Sequence, residues 1–271
     1  MKKTSIAAFA LAVALGRALA TASAGTAVSS NWSGYAVTGT TFTSVSGSWV
    51  QPTVRCSSET TGTSASAFWV GLGGDSSSSG SLEQTGTEAY CLADGTTHYS
   101  AWYELVPDAA VKVALKVSAG DRISASVTVN GTAVRVELRN LTTSRSFTKT
   151  LRMSAPDVSS AEWIAEAPSI VTPGGTLVLP LTDFGAVRFS EATATSSKRH
   201  TGTISDSAWT ATRIRLASGA ATGPGPGPFA RFDSAQAVSE AVAGGLSQSG
   251  GTFTIRWRQV TAATVPEPFT S

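Results

Sequence analysis

Two short apolar segments of the chain carry carboxylates where an ordinary core strand would carry none. In Ala161-Glu-Trp-Ile-Ala-Glu166, a period of two puts Glu162, Ile164 and Glu166 on one face and Trp163 with Ala165 on the other. In Tyr99-Ser-Ala-Trp-Tyr-Glu104, Trp102 and Glu104 share a face, opposite Tyr99 and Tyr103. Positioned carboxylates can do general acid–base work, and an aromatic beside one can line a substrate groove. The same residues also fit a solvent-exposed strand face or a packed sheet edge. Histidine occurs only at 98 and 200; no G-x-S-x-G elbow and no H-E-x-x-H spacing is present. A Ser-His-Asp triad and a histidine zinc site therefore have no support. If the chain is an enzyme, carboxylates and amides carry it. Spacing alone leaves a glycoside hydrolase, a carbohydrate-binding sandwich and a peptidase open, because strand parity does not give the separation of two carboxyls.

Such residues need strands to hold them, and the composition supplies strands. Of 271 residues, 41% are hydrophobic and only 14% charged, with 26 glycines among many Ser and Thr. That excludes wholesale disorder and a helical bundle. Strict alternation marks 111–117, 123–129 and 134–138, with a turn at Asn130-Gly131. One buried and one wet face is the pattern of an antiparallel sheet in a sandwich. Further strands are expected at 66–72, 146–152, 161–166, 177–181, 186–190, 209–216 and 252–259, and a short helix at 235–243. Residues 57–66 and 73–81 read as polar loops, and Ala221 to Phe229 as a stiff Pro-Gly excursion within one domain.

Lys2 and Lys3, the apolar run Ile6 to Gly16, and Ala22-Ser23-Ala24 read as a secretory signal peptide over 1–24. One domain is expected over 25–261 and a tail over 262–271. Without the signal, 17 basic residues face 18 acidic ones, and no basic cluster remains for nucleic acid. The apolar run is too short to span a membrane. In an exported chain the only two cysteines, Cys56 and Cys91, are expected to form a disulfide; a free thiol is the rival reading. Asn31-Trp-Ser and Asn140-Leu-Thr match the N-glycosylation pattern.

Five stretches together resemble the glutamic peptidases, or eqolisins, best known as secreted fungal acid proteases. They are Asn31-Trp-Ser-Gly34, Ala67-Phe-Trp-Val-Gly71, Leu82-Glu-Gln-Thr-Gly86, Ala101-Trp-Tyr-Glu104 with Pro107-Asp108, and Ala161–Glu166 with Asp183-Phe-Gly185. The likeness covers most of the mature chain and weakens after about 200. It implies an all-β, antiparallel, concanavalin A-like sandwich of two packed curved sheets, seven strands each, with a groove for extended polypeptides. It assigns Gln84 and Glu166 as the catalytic pair. Gln84 taken alone, between Glu83 and Thr85, would be a polar turn residue. Trp32, Trp102, Glu104 and Glu162 become substrate-binding or supporting residues, and Cys91 fits a family disulfide. No cofactor or metal is implied, and a secreted monomeric endopeptidase is expected. Gly73 stands where the family commonly has an aspartate, with Asp75 two residues on, so a carboxylate of the active-site network is lost or moved. There is little room for an N-terminal prosegment, which points to a member outside the fungal branch.

Overall fold

The structure, a computed structural model, describes residues 24–56, 63–76, 79–172, 175–217 and 238–260. The signal-peptide reading, the Pro-Gly excursion and the C-terminal tail lie outside these residues. Eighteen strands follow one another: β1 (Gly25–Ser29), β2 (Trp32–Thr38), β3 (Phe42–Val50), β4 (Ser64–Gly73), β5 (Leu82–Cys91) and β6 (Thr97–Val106). Next come β7 (Val111–Val113), β8 (Arg122–Asn130), β9 (Ala133–Asn140), β10 (Arg145–Arg152), β11 (Ala161–Glu166) and β12 (Ser169–Thr172). The last six are β13 (Gly175–Val178), β14 (Ala186–Ser196), β15 (Thr201–Thr203), β16 (Thr210–Ala217), β17 (Val238–Ala243) and β18 (Phe253–Val260).

Hydrogen bonding joins them in the order β10-β9-β8-β3-β14-β18-β17 and then β16-β2-β11-β4-β5-β6-β7. These are two seven-stranded layers, linked at β17–β16 and packed face to face. β1 adds to β16 as a parallel strand, β15 pairs with β14, and β12 and β13 form a separate hairpin. The core between the layers shows in contacts that cross it. Trp163 Nε1 donates to the Ser46 carbonyl at 2.8 Å, Trp49 Nε1 to Thr87 Oγ1 at 3.0 Å, and Phe68 meets Phe184 edge-on at 5.3 Å. β8 and β9 show why the sequence alternates: Val127, Val129, Val134, Val136 and Leu138 enter this core while their neighbours face outward. Their two-residue connection is Gly131-Thr132, with Gly131 at φ +58.

Two expectations change. Residues 111–117 form a strand only over Val111–Val113, where β7 is the edge; beyond it Leu115 and Val117 leave the ladder and bury in the core. The helix at 235–243 is instead strand β17 over its described part. Two partners, β16 and β18, pair with it, and Ala241 and Ala243 bury on one face. Tertiary pairing overrides the helix preference of alanine here. The disulfide joins Cys56 to Cys91 with Cα atoms 5.4 Å apart, tying the segment before β4 to the end of β5.

Candidate active site

β4, buried along all ten residues, runs between β11 and β5 at the centre of the second layer. Small residues make this double burial tolerable: Ala65, Ala67, Gly71 and Gly73 leave room on either side for larger neighbours. The register then sets three rows across one face. Glu162, Gly71, Gln84 and Glu104 form the first; Ile164, Trp69, Gly86 and Trp102 the second; Glu166, Ala67, Glu88 and Ser100 the third. On the far side of β11, Trp32 stands opposite Glu166. A small apolar cluster on this face, Trp32, Ala36, Ala67, Trp69, Leu82, Trp102, Ile164 and Ile214, is separate from the main core.

Glu166 is half-buried, and its carboxylate is held by donors. Trp69 Nε1 donates to Oε2 at 2.8 Å, Asn31 Nδ2 to Oε1 at 3.0 Å, and Trp32 adds a further hydrogen bond. Burial pushes this carboxyl up to about 8, and the charge of Glu104 adds to the push, while Trp69, Trp32 and Asn31 oppose it. Trp32 and Trp69 pack edge to face at 4.9 Å, which fixes both indoles. Gln84 is 3% exposed; its Nε2 donates to Glu104 Oε2 at 2.6 Å, and its Oε1 has no partner. Burial raises the pKa of Glu104, against the hydrogen bonds from Gln84 and the Ala110 backbone. Trp102 is buried on the same face with an unpartnered Nε1.

The structure thus brings Gln84, Glu104, Trp102, Trp32 and Glu166 to one face. Glu162 belongs to the same face by parity but is wholly buried, out of reach of a bound peptide. Burial raises its pKa well above the ordinary value, and the charges of Asp75, Asp157 and Glu83 nearby add to the rise. Gly73 explains part of this cluster. With φ at +83, its place would strain any other residue, and a Cβ there would lie 2.6 Å from that of Asp157. Asp157 fills the space, and Ser79 Oγ and the Gly74 N–H donate to its carboxylate.

Sequence reasoning missed Trp69 and Asn31. Trp69 sits in a quoted motif without a role, and Asn31 reads as a glycosylation acceptor. Neither sequence pattern reveals that a side chain on the neighbouring strand β11 needs their N–H groups. The second acceptor, Asn140, is also committed: it is fully buried and its Nδ2 donates to Asp121 Oδ2 at 2.8 Å and to the Lys116 carbonyl at 3.0 Å. His98 and His200 are exposed, His200 pairing with Asp206 at 3.0 Å. Among the described residues, no group of three or more His, Cys, Asp or Glu is arranged to hold a metal ion. A cavity of about 420 Å³ lined by Arg188, Arg256 and Arg258 lies on the other layer and includes none of these residues.

Comparison with known proteins finds relatives of one kind. The chain is 33% identical over 191 residues to aspergillopepsin-2 of Aspergillus niger, a match covering 62% of this chain and 65% of that protein. It is 33% identical over 177 residues to scytalidopepsin B of Scytalidium lignicola, again covering 62% and 65%. The match thus spans just under two thirds of these curated relatives. A crystal structure of scytalido-glutamic peptidase with a transition state analogue superposes with a TM-score of 0.64 at 26% identity, covering 84% of this chain and 98% of that one. Aspergilloglutamic peptidase from Aspergillus niger gives 0.51 at 28% identity, covering 72% and 99%. The relatives named are fungal and lend no support to a placement outside that branch. The model of the Peptidase A4 family matches residues 30–222, a span that holds Asn31, Trp32, Gln84, Trp102, Glu104, Glu162 and Glu166. By that match, the chain belongs to the Peptidase A4 family, the glutamic peptidases or eqolisins.

Proposed function

We propose that the protein is a secreted, acid-active endopeptidase that hydrolyses extended polypeptides with Glu166 as general base and acid and Gln84 as oxyanion donor. The observation that carries this reading is the shared face of β5, β6 and β11, which aligns a donor-held carboxylate with an oriented amide. Glu166 takes a proton from a bound water as the water oxygen attacks the scissile carbonyl. The protonated carboxyl then gives that proton to the leaving amine as the C–N bond breaks. A primary amide nitrogen has two hydrogens. Gln84 donates one of them in a hydrogen bond to Glu104, which orients the group and leaves the second for the oxyanion.

The charge on Glu104 is one cause of the raised Glu166 pKa. Burial remains the larger cause; a proton placed on Glu104 removes the second and brings Glu166 part of the way back toward the acid range, where three N–H donors favour its charged form, so the two carboxyls titrate as a pair. An amide does not titrate, so Gln84 keeps its role where a histidine would be charged. Trp32 and Trp102 line the groove, and no cofactor enters the scheme. We infer action as a monomer, outside the cell, with no nucleic-acid or membrane partner.

Incubation with denatured casein across pH 2.5–7, beside a panel of glycans, tests the class. Peptide release at acid pH without sugar release is expected. Sugar release without peptide cleavage would instead support a glycosidase using Glu104 and Glu166.

A further inference from the structure

Glu166 Oε1 receives its hydrogen bond from an amide, and an amide could as easily present its oxygen. What decides the orientation lies one residue further out. Ser29, at the end of β1, is 3% exposed. Its Oγ accepts the backbone N–H of Trp32 at 3.1 Å and that of Asn31 at 3.3 Å. A hydroxyl has two lone pairs and one hydrogen. Both lone pairs are used by groups that can only donate, so its hydrogen must go elsewhere. It goes to Asn31 Oδ1, 3.2 Å away. The Asn31 oxygen is thereby turned toward Ser29 and its Nδ2 toward Glu166, 3.0 Å distant. The Asn31 carbonyl also accepts the N–H of Ala167 at 2.8 Å, clamping the segment to the residue after Glu166.

We propose that Ser29 and Asn31 are positioning residues: the Ser29 hydroxyl fixes the Asn31 amide so that it donates to the general base. The inference rests on Glu166 being that base. The relay aligns one carboxylate oxygen while Trp69 aligns the other; with Trp32 as a third donor, one of the four lone-pair sites is left to receive the proton of the attacking water. It also favours the charged form, since hydrogen bonds to a charged group count for more than neutral ones. The titratable groups facing Glu166 from neighbouring strands are Glu104 on β6 and Glu88 on β5, the latter held by Tyr90, Ser100 and Lys112. β2 and β4 contribute the indoles of Trp32 and Trp69, and β16 the apolar Ile214. Among the described residues Asn31 is the amide that donates to Glu166, while the Gln84 amide on the same face donates to Glu104. A further consequence follows for the Asn31-Trp-Ser acceptor pattern: a glycan on Nδ2 would replace one of its two hydrogens and set a sugar beside Glu166, so an active site requires Asn31 unmodified.

The test is a pH titration of the Glu166 carboxyl by carbon NMR in the full-length mature protein, alongside kcat and kcat/KM on a casein-derived peptide. Ser29→Ala and Asn31→Ala should raise the Glu166 pKa, move the acid limb of kcat/KM upward by about one pH unit, and lower kcat about 10- to 100-fold with little change in KM. Ser29→Thr keeps the hydroxyl and should restore both. Asn31→Asp, which replaces the donor by a like charge, should shift the limb further than Asn31→Ala. A Glu166 pKa and acid limb unmoved in folded Ser29→Ala and Asn31→Ala would overturn the proposal. If wild type cleaves no peptide, the peptidase reading fails; the NMR shift still decides the relay, because it needs no turnover.

Discussion

Glu162 and Glu166 stand on the same face of one six-residue strand, and their surroundings are opposite. Glu166 is only half-buried and receives N–H groups from Trp69, Asn31 and Trp32. Glu162 is wholly buried, and neither of its oxygens has a well-formed hydrogen bond; the Ser160 hydroxyl is the nearest polar relief. A charge without donors in such a place is too costly to keep, so Glu162 stays a neutral acid. Glu83, also fully buried, is pushed up to about 8 by burial, with the Asp157 charge adding to it. Asp157 is the member of that cluster that stays charged. Burial pushes its pKa up, but hydrogen bonds from Ser159, Ser79 and Gly74 together outweigh the burial and hold it low. The lesson is that parity brings a carboxyl to a face, whereas donors and access decide what it can do there.

The sharpest way to break the comparison is to make the same change at both ends of the strand. Glu166→Gln should cut casein hydrolysis at acid pH by about 10²–10⁴-fold while substrate binding persists. Glu162→Gln should leave acid turnover within a few-fold. The reverse result in folded proteins would invert the assignment. Gln84→Ala comes next, with kcat falling about 10²–10³-fold and KM changing little, as for the loss of one oxyanion donor.

The sealed cluster gives a smaller, pH-dependent effect on stability. Glu83 and Glu162 have folded pKa values raised above the 4.5 of a free glutamate. Their contribution is fully present below pH 4.5 and is lost as pH rises through the folded values, for Glu83 between 4.5 and about 8. Each group then costs about 1.4 kcal/mol per pH unit within its window. Denaturant unfolding should therefore show wild type weakening from pH 4 to pH 7. Glu83→Gln and Glu162→Gln should flatten that slope and change little at pH 3.5.

Glu104→Gln should have the smallest effect. It keeps an acceptor for Gln84 Nε2 but removes the negative charge that raises Glu166. The acid limb of kcat/KM should move down by up to about one pH unit, with kcat reduced less than tenfold. An unmoved limb would mean that Glu104 is already protonated when Glu166 ionises.

Much of this was legible in the chain. The alternation at 123–129 and 134–138 maps directly onto β8 and β9, because a sheet with one buried face writes its period into the sequence. The five motifs singled out Gln84, Glu104 and Glu166, which the register brings to one face, and the two cysteines announced their bridge. The strand at 238–243 was not legible, since Val-Ser-Glu-Ala-Val-Ala carries a helical preference that only its two paired neighbours overrule. Gly73 looked like a lost carboxylate, and the space it vacates holds Asp157, 84 positions away.

What the sequence determined by itself is therefore the inventory and the parity: an all-β chain, few ionisable groups, almost no histidine, and carboxylates on strand faces at 104, 162 and 166. Those properties are local, set by residue type and a period of two. The tertiary structure alone decided which carboxylate meets N–H donors and which is sealed. That outcome depends on register between β2, β11, β4, β5 and β6, strands drawn from residues 32 to 166. An indole at 69, an amide at 31 and a hydroxyl at 29 reach Glu166 only after those strands have paired, and a donor makes its contribution through distance in space rather than along the chain.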